Sequence, residues 1–599
     1  MNDSLNQDQL GVAAISFGPW RLASDAWRWT RGYAAELLCA FFLAAMSLNI
    51  LTVITRKSIT LDETVMIPSA YYHLAAGNFQ LVHDHPPLSK IVAAIPLLFI
   101  QPAELQPSQA GAPNSSEAEY AFQRRFWEDN RAEFELISFW SRAAMMCLTA
   151  GLGILIFIFA RDLLGPRAAV LAVALFSIEP TVLAHGRVVQ TDVPAAFGFL
   201  LTCFALDRYL RKRTWKRAAW LGVACGLSFL AKFSMLIIAP LLVLVLAFLV
   251  WQNWRLGHEV KVLVIHSAAV ILATLIVVHS AYYFHSRDLT IIDTQWIADS
   301  FPNRAPEVLA AVRMLSYLLP TDFVLGVFWQ LWHSGEGHPA GLLGMYSMKG
   351  WWYYFPVAFA LKTTLPFLVL SLCSLAWATY QTIKRRDRRF LILLIPFAVY
   401  TVFVMLSPIN IGIRYYLPAY SFLFILSGAM LADLLSVTRG KRWKGLAVIV
   451  AVLGWAGYEA IRAYPNQMSY MNQLASARPH WWYLSDSNVE WGDDIKDLAT
   501  YLRARGETRV RSAVLGGFLI LPFNRVENIN LIGSSQEELP EARYTAIGAS
   551  FLNGSTVPAL EINGAFISEQ ERVNYFDAYR HRTPEAVFGG SIYLYREHE

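Results

Sequence analysis

The sequence predicts an α-helical polytopic membrane protein with about 11 transmembrane helices and a small C-terminal α/β soluble domain. Hydrophobic residues make up 55% of the 599 residues and the mean hydropathy is +0.37, whereas charged residues make up only 16%. A soluble domain carries roughly 25% charged residues, so water alone would not keep this chain folded as one globule. The net charge of +5 is small for this length and excludes the concentrated basic face of a nucleic-acid-binding protein.

Apolar runs of the length that a bilayer requires, roughly 20 residues, recur along the chain as far as residue 462. The predicted spans are 34–54, 138–160, 167–184, 193–210, 218–231, 234–251, 262–283, 353–379, 390–406, 416–436 and 445–462. The fifth of these spans is short and shares a tight turn with the sixth. No small-residue cleavage site closes the first run, so we expect it to remain in the membrane as a signal anchor.

Lysine and arginine residues cluster in alternate connections between the predicted spans. The clusters are Arg161 with Arg167, then residues 208–217, 384–389 and 439–444, and the N-terminal Arg21, Arg28 and Arg31. Because positively charged loops stay in the cytoplasm, these connections and the N-terminus are predicted to face inwards. An odd number of spans then places the long loops 55–137 and 284–352 outside. The predicted domains are a transmembrane domain, 1–462, and an outer-face α/β domain, 463–599.

The C-terminal segment combines one helical pattern with several strand patterns. The run "WGDDIKDLATYLRARG" places Ile495, Leu498 and Leu502 on one helix face. The runs "RSAVLGGFLILPF", "RYTAIGASFL" and "GSIYLYRE" are typical of strands. In the first long loop, Glu117 to Glu135 carries charged and aromatic residues at helical spacing, which is typical of an interfacial helix.

Two clusters of ionisable residues lie in the first outer loop, close to the predicted membrane surface. They are Asp62 with Glu63, and then Asp84, His85 and Lys90. Carboxylates near a bilayer are costly unless they pair or act. Capping of the next helix by Asp62 or Thr60 is an alternative, and Glu63 could also cap or face away. The second cluster, stiffened by Pro86 and Pro87, favours a functional site.

Three further polar residues lie in short outer connections or at the outer ends of spans. They are Asp192, Lys232 and Arg414. Asp192 precedes Val193 and Pro194, so capping of the fourth span competes equally with a site function, and the two are compatible. Lys232 and Arg414 could reach lipid headgroups as snorkelling residues, but the planar fork of Arg414 also suits a phosphate.

Two histidines, His333 and His338, lie in the glycine-rich stretch "WHSGEGHP" of the second outer loop. Together with Asp or Glu they could bind a divalent metal. A lone histidine in a loop is more often solvated, so the sequence predicts no certain cofactor and leaves a divalent metal open.

The first-loop motifs resemble those of the protein O-mannosyltransferase family. They are Asp62-Glu63 directly after the first span and "HDHPPLSK", His83 to Lys90, in the same loop. The resemblance extends through "GRVVQTDVPAAF", "GLSFLAKFS", "GWWYYFPVAFALKTTLP", "NIGIRYYLP" and "DSNVEWGDD", and so covers most of the chain. More broadly, the chain is similar to GT-C-class glycosyltransferases that use lipid-phosphate sugars, a class that includes the aminoarabinose transferase of lipid A. The β-trefoil insert of the eukaryotic O-mannosyltransferases is not visible in this sequence.

The resemblance implies an inverting glycosyltransferase that moves a sugar from a polyprenyl-phosphate donor to an acceptor hydroxyl. Such a reaction needs a base for the hydroxyl and cations for the phosphate that leaves. The usual base of the family matches Asp62, with Glu63 as the next candidate, and its second acidic motif matches Asp192. The predicted donor- and phosphate-binding residues are Arg414, Lys232, Asp192, His85, Asp84 and Lys90.

The acceptor stays open at this point, since a lipid, a glycan and a protein would all supply a hydroxyl. In a bacterial cell the expected place is the inner membrane, with the active site and the C-terminus on the periplasmic face. The alternative function is a polytopic transporter or flippase of lipid-linked sugars without transfer chemistry. Few charges lie within the predicted spans and the acids gather on one face, which favours chemistry at one surface.

Overall fold

The fold is a bundle of apolar helices followed by a mixed α/β domain. The computed structural model describes residues 33–103, 116–253, 255–437, 442–532, 539–562 and 565–597. In chain order, the helices of the first part are α1 (Ala34–Arg56), α2 (Leu61–Ala76), α3 (Leu88–Ala94), α4 (Leu97–Ile100), α5 (Ser116–Asp129), α6 (Phe134–Leu164), α7 (Pro166–Ile178), α8 (Pro180–His185), α9 (Asp192–Arg211) and α10 (Trp215–Ala231). They continue with α11 (Ile238–Asn253), α12 (Gly257–Ala281), α13 (Ile291–Ser300), α14 (Ala305–Ser316), α15 (Thr321–Glu336), the hairpin of β1 (Ala340–Leu342) and β2 (Met345–Ser347), α16 (Tyr354–Lys362), α17 (Leu365–Ile383), α18 (Leu391–Met405), α19 (Leu417–Val437) and α20 (Arg442–Ala463).

Each predicted span coincides with one or more of these helices, and the predicted membrane bundle is confirmed. Among the described residues, nine helical segments are long and apolar enough to cross a membrane. The two remaining positions hold shorter helices, α7 with 13 residues and α10 with 17 residues.

Two predicted spans are interrupted, which the sequence pattern did not predict. The run 167–184 breaks at Glu179, which has extended backbone (φ −78°, ψ 119°) before Pro180, and the run 353–379 breaks at Thr364 (φ −57°, ψ 137°). Proline disfavours helical backbone in the residue before it and cannot donate a helix hydrogen bond. The Thr364 hydroxyl donates to Glu179 Oε2 over 2.9 Å. The two breaks therefore satisfy each other's polar groups inside the bundle.

The basic clusters that the structure describes lie at one end of the bundle. Arg208 and Arg211 both pair with Asp162, at 3.3 and 3.0 Å, and Arg389 donates to the Leu163 carbonyl over 3.4 Å. Asp162 and Leu163 belong to the same end of α6, so the loops 208–217 and 384–389 are neighbours there. The N-terminal arginines, and Arg439 and Lys441 of the last cluster, lie outside the described residues.

The C-terminal domain is built on a five-stranded sheet. Its elements are α21 (His480–Tyr483), α22 (Ile495–Ala504), β3 (Arg509–Ala513), α23 (Gly517–Phe523), β4 (Glu527–Asn530), β5 (Tyr544–Gly548), α24 (Ala549–Asn553), β6 (Glu561–Ile562), β7 (Ala565–Phe566), α25 (Glu569–Val573), α26 (Asp577–Arg580), β8 (Ala586–Phe588) and β9 (Ile592–Arg596). The strand order is β4-β3-β5-β9-β8; β3 pairs in parallel with β4 and β5, and β9 pairs antiparallel with β5 and β8. The predicted α/β domain is thus confirmed, and α22 buries the predicted face of Ile495, Leu498 and Leu502.

Two of the predicted strands end earlier than their apolar runs. In "RSAVLGGFLILPF" the strand stops at Ala513, Gly516 adopts φ +78°, and the rest forms helix α23. Positive φ is accessible to glycine at little cost and ends regular strand geometry. In "RYTAIGASFL" the strand stops at Gly548 and α24 follows.

Helix α5 carries the aromatic residues of the predicted interfacial helix, but its described aromatic side chains are buried in protein. Phe122, Phe126 and Trp127 are fully buried. Tyr72 of α2 lies 5.8 Å from the rings of both Phe122 and Phe126. The Trp127 indole donates to the Thr64 carbonyl over 2.8 Å. The aromatic face therefore supports α2 instead of facing lipid headgroups.

Candidate active site

Asp62 projects from the first turn of α2, whose start is fixed by a capping box. The Thr60 hydroxyl accepts from the Glu63 amide over 3.3 Å, and the Thr60 amide donates to Glu63 Oε2 over 2.7 Å. This reciprocal arrangement satisfies two amides at a helix N-terminus. The side chain of Asp62 is 28% exposed, whereas that of Glu63 is fully buried. The two neighbours therefore point into different surroundings.

Asp62 is held by two side chains from distant parts of the chain. Arg414 Nη1 lies 3.0 Å from Asp62 Oδ2, and the Gln190 side-chain amide donates to the same oxygen over 2.6 Å. Arg414 comes from a short 3₁₀ turn, Ile413–Tyr416, directly before α19. Within the described residues no hydrogen bond is made to Asp62 Oδ1, so this oxygen remains for another partner.

Asp192 joins the two predicted cations. Its carboxylate lies 2.6 Å from Lys232 Nζ and 3.8 Å from Arg414 Nη1. All three residues are largely buried, and a buried charge is stable only when it is paired. Asp192 thus holds both cations in place beside Asp62. The predicted capping role is not seen, because Thr191 takes the cap position and Asp192 is the first residue of α9, with its carboxylate bonded to Lys232.

Aromatic rings cover both cations. The guanidinium carbon of Arg414 lies 4.0 Å from the centre of the Trp491 ring, and Lys232 Nζ lies 3.5 Å from the centre of the Tyr415 ring. Such cation–π contacts are strongest when water is excluded. Buried Arg414 Nε makes no hydrogen bond within the described part of the chain. The two cations therefore lie side by side, and Arg414 Nε is a hydrogen-bond donor without a partner among the described residues.

These groups line one cavity of about 430 Å³, which we call the central pocket. Its lining includes Asp62, Asp84, His85, Lys232, Arg414, Tyr415, Trp491 and several residues of the C-terminal domain, among them Leu515, Thr556 and Arg572. The volume lies within the range of about 300–1,000 Å³ that is usual for ligand pockets. The central pocket is therefore enclosed by the membrane bundle on one side and by the α/β domain on the other.

The second predicted cluster consists of Asp84, His85 and Lys90, and only the first two of these residues reach the central pocket. Asp84 and His85 both line the central pocket, with His85 Nδ1 2.7 Å from Asp84 Oδ2. Burial would raise the pKa of the Asp84 carboxyl, but the adjacent His85, His83 and Lys90 hold the pKa below its usual range. Lys90 instead donates to the carbonyls of Leu81 and Val82, over 3.0 and 2.5 Å. Lys90 therefore fixes the backbone that carries Asp84 and His85.

Glu63 is not brought into the pocket. Besides the capping box, its Oε1 accepts from the Val189 amide over 3.0 Å and lies 3.2 Å from Arg142 Nε. Burial raises the pKa of Glu63 to about 7, although these hydrogen bonds oppose the shift. Glu63 therefore caps the start of α2, which was one of the alternatives. It also links the start of α2 to the segment before α9.

Trp491 and Asp486 both line the central pocket, although the sequence indicated them only as part of the motif "DSNVEWGDD". Asp486 lies 3.8 Å from His338 Nε2, and both line the central pocket. Burial would raise the pKa of Asp486, but His338 and Arg414 hold it below its usual range. The signal was present in "DSNVEWGDD", which concentrates polar residues beside a tryptophan.

The segment 490–493 is bonded to the residues at the start of α2. The Ser58 amide donates to the Asp493 carbonyl over 2.9 Å, and the Leu61 amide donates to the Trp491 carbonyl over 2.8 Å. The Asp493 carboxylate lies 3.0 Å from buried Arg187 Nη2. Nearby, Lys57 pairs with Asp494 and, at 2.6 Å, with Asp497. The backbone on either side of Asp62 is therefore completed by the C-terminal domain.

The histidines of the second outer loop do not form a metal site. His333 stacks on Trp329 with ring centres 5.0 Å apart, and burial lowers its pKa to about 4. Within the described ranges, no group of three or more His, Cys, Asp or Glu side chains is placed to hold a metal ion.

The fold and the site indicate a membrane glycosyltransferase, and comparison with known families supports this class. Residues 136–282 match the family model described as dolichyl-phosphate-mannose-protein mannosyltransferase. This segment contains Asp192 and Lys232, and the match confirms the resemblance to protein O-mannosyltransferases. No curated protein gives a significant match.

Several solved membrane glycosyltransferases are similar to this chain. The oligosaccharyltransferase of Archaeoglobus fulgidus is 13% identical, with a TM-score of 0.47 over 87% of this chain and 70% of that chain. ArnT of Cupriavidus metallidurans bound to undecaprenyl phosphate is 14% identical, with a TM-score of 0.45 over 85% of this chain and 92% of that chain. The protein O-mannosyltransferase Pmt1-Pmt2 complex of S. cerevisiae bound to the sugar donor is 12% identical, with a TM-score of 0.48 over 72% of this chain and 90% of that chain.

Proposed function

We propose that this protein is an inverting glycosyltransferase that moves a sugar from a polyprenyl-phosphate donor to an acceptor hydroxyl. The observation that carries the proposal is the central pocket, in which a half-buried carboxylate, Asp62, lies 3.0 Å from the phosphate-binding candidate Arg414. The pocket lies between an apolar helix bundle and a soluble domain, where a lipid-anchored donor would present its phosphate. The family match over residues 136–282 adds support for a lipid-phosphate sugar.

Asp62 is proposed as the general base. Both of its side-chain contacts use Oδ2, from Arg414 Nη1 and Gln190 Nε2. Oδ1 can then accept a hydrogen bond from the acceptor hydroxyl and take its proton as the new bond forms. The hydroxyl oxygen attacks the anomeric carbon, and the bond from that carbon to the phosphate oxygen breaks on the opposite face. A single displacement of this kind inverts the anomeric centre.

Arg414 and Lys232 are proposed to bind the phosphate that leaves. The unused Arg414 Nε and the ammonium of Lys232 can donate to phosphate oxygens, where negative charge increases as the bond breaks. Asp192 keeps both cations charged and oriented, and Trp491 covers the guanidinium. His85, held by Asp84, is proposed to contact the donor at the other side of the pocket.

The proposed location is the outer face of the membrane, which is the periplasmic face of the inner membrane in a bacterial cell. The central pocket and the basic clusters lie at opposite ends of the helix bundle. Because arginine-rich loops remain in the cytoplasm, this separation supports a pocket on the outer face. A polyprenyl-phosphate sugar that faces outwards would meet the pocket there.

Release of polyprenyl phosphate from a labelled donor tests the proposal. Asp62→Asn should leave donor binding near normal and lower turnover by about 10² or more, or roughly 2.7 kcal/mol in the barrier. The matched control is Asp129→Asn, since Asp129 is a surface carboxylate paired only with Arg125 among the described residues. Near-wild-type turnover in purified Asp62→Asn would contradict the assignment. Translocation of intact donor in liposomes without release would instead support a flippase.

A further inference from the structure

A cavity of about 870 Å³ lies at the end of the bundle that carries the basic clusters. We call it the basic-end cavity. It is formed where α6 meets α7, by the facing ends of α17 and α19, and by the loop 384–389. Helix α6 extends about 33 Å from Arg142, which contacts Glu63 at the start of α2, to Leu164 at this cavity. The basic-end cavity is therefore remote from the central pocket.

Two guanidinium groups in the lining are available to a ligand. Arg167, in the first turn of α7, and Arg385, in the loop after α17, make no hydrogen bond, ion pair or ring contact with the residues that the structure describes. A third arginine, Arg389, donates to both carboxylate oxygens of Asp387 over 3.0 and 2.8 Å and so neutralises it. The other lining carboxylate is Asp433. Two free cations against one carboxylate leave the cavity with a net positive charge.

Two neutral hydrogen-bonding groups lie beside these arginines. Gln381 of α17 is only 7% exposed and lines the cavity, and its side-chain amide makes no hydrogen bond within the described part of the chain. Leaving a buried amide unsatisfied costs free energy. The start of α7 lies at the same cavity, and no side chain caps it, because Gly165 takes the cap position. Uncapped amides at a helix N-terminus favour an anion. Charged and neutral donors therefore converge on one space.

The rest of the lining is mainly apolar, and it lies at the level of the membrane interface. The ring of Trp377 lies 5.1 Å from that of Phe390, and both rings line the cavity. Tyr380 and Ile383, on the same last turns of α17 as Gln381, are 53% and 66% exposed. Large exposed apolar residues followed by a basic loop mark the depth at which hydrocarbon gives way to lipid headgroups. An occupant would therefore meet donors and an apolar wall together.

We propose that the basic-end cavity binds an anionic phospholipid of the leaflet opposite the central pocket. Arg167 and Arg385 bind its phosphate oxygens, Gln381 bonds to the headgroup, and Trp377 packs against the first carbons of an acyl chain. Basic pockets between transmembrane helices recognise anionic headgroups in this way. A soluble phosphate compound would leave the apolar wall unused. The inference goes beyond the proposed transfer reaction and does not depend on it.

Titration of the purified full chain with phosphatidylglycerol in detergent micelles, followed by native mass spectrometry, tests the proposal. Arg167→Gln combined with Arg385→Gln should raise the apparent Kd of a bound lipid about tenfold or more, because two guanidinium donors to the phosphate are lost. The matched control is Arg386→Gln combined with Arg388→Gln, which removes the same charge from the same loop but outside the lining. This control should change the Kd less than about twofold. An equal loss in both double variants, or no loss in the first, would overturn the proposal.

A second variant tests the site with both arginines in place. Gln381→Leu keeps the size of the side chain and removes its polar groups, so the apparent Kd should rise about threefold or more. Thermal unfolding in lipid-free detergent shows whether each variant is folded. An unchanged Kd in folded Gln381→Leu would contradict the assigned role of the buried amide.

Two further ligands separate a lipid from a soluble phosphate. Phosphatidylcholine, whose headgroup is neutral overall, should bind at least about tenfold more weakly than phosphatidylglycerol. Glycerol 3-phosphate and inorganic phosphate should not displace the bound lipid. Equal binding of the two lipids would show that charge is not recognised, and displacement by either soluble phosphate would reject a lipid as the occupant.

Discussion

Arg414 is contacted on three sides, by the carboxylates of Asp62 and Asp192 and by the ring of Trp491. A lysine at this position has one terminal charge and no plane, so it could not meet two carboxylates and stack at once. The guanidinium also spaces the proposed base from the second cation, Lys232. The chemistry of the pocket therefore depends on the shape of this side chain as well as on its charge.

Arg414→Lys should consequently impair the enzyme although the charge is kept. We expect the KM for the donor to rise about tenfold or more, since charge-assisted hydrogen bonds contribute roughly 1.5–3 kcal/mol. Arg414→Ala should weaken donor binding further. Arg131→Lys is the matched control, because the Arg131 side chain lies on the surface and donates to the Pro522 carbonyl. Equal donor affinity in the wild type and both Arg414 variants would leave Arg414 only a structural role.

The element that positions the proposed base, Asp62, is the start of α2, and it depends on the segment 490–493. Glu490 belongs to this segment and inserts between the ends of β3 and β5. Burial raises the pKa of Glu490 to about 8 from an ordinary value of 4.5. The folded protein therefore favours the protonated form, and ionisation opposes folding.

The sign of this shift predicts how stability changes with pH. A raised carboxyl pKa gives stability that is fully present below pH 4.5 and is lost as the pH rises towards 8. Thermal unfolding of purified protein should show a loss of about 1 kcal/mol or more between about pH 5 and pH 8. Glu490→Gln should be less stable at about pH 5, because one amide loses its acceptor, and should show a flatter pH dependence.

Glu527→Gln is the control for that experiment, since the Glu527 side chain is 63% exposed on β4. This control should keep the wild-type pH dependence. An unchanged slope in Glu490→Gln would mean that other groups cause the loss of stability.

The sequence predicted the helices of the bundle because apolar length is a strong local signal. It predicted Asp62, Arg414, Lys232 and Asp192 because charged residues at the outer ends of spans are costly without a partner. It did not predict the breaks at Glu179 and Thr364, or the contact between the Trp491 ring and the Arg414 guanidinium. The contact of Trp491 with Arg414 joins residues that are far apart in the chain, whereas the break at Glu179 also has a local cause in Pro180. Glu63 carried the same local signal as Asp62; the family resemblance ranked Asp62 first, and the capping geometry of Glu63 separates the two in the structure.

At the scale of the whole molecule, the central pocket and the basic clusters occupy opposite ends of the bundle. Labelling of single cysteines with an impermeant thiol reagent on intact cells tests the predicted orientation. The substituted residues are Glu128→Cys, Gln570→Cys and Lys384→Cys, in a background whose five native cysteines are replaced. We expect labelling of the first two, and of the third only after permeabilisation. Labelling of Glu128→Cys and Gln570→Cys from opposite sides would exclude a shared pocket.

The backbone contacts around Asp62 also constrain the order in which the protein can mature. Ser58 and Leu61 are synthesised early, but the carbonyls that they require belong to Asp493 and Trp491. A ribosome that has inserted the first helices has therefore not yet made the groups that hold the proposed base. Nascent chains would carry lipid-facing helices but no assembled site. The proposed site would be complete only when the C-terminal domain has been synthesised and has packed against the bundle.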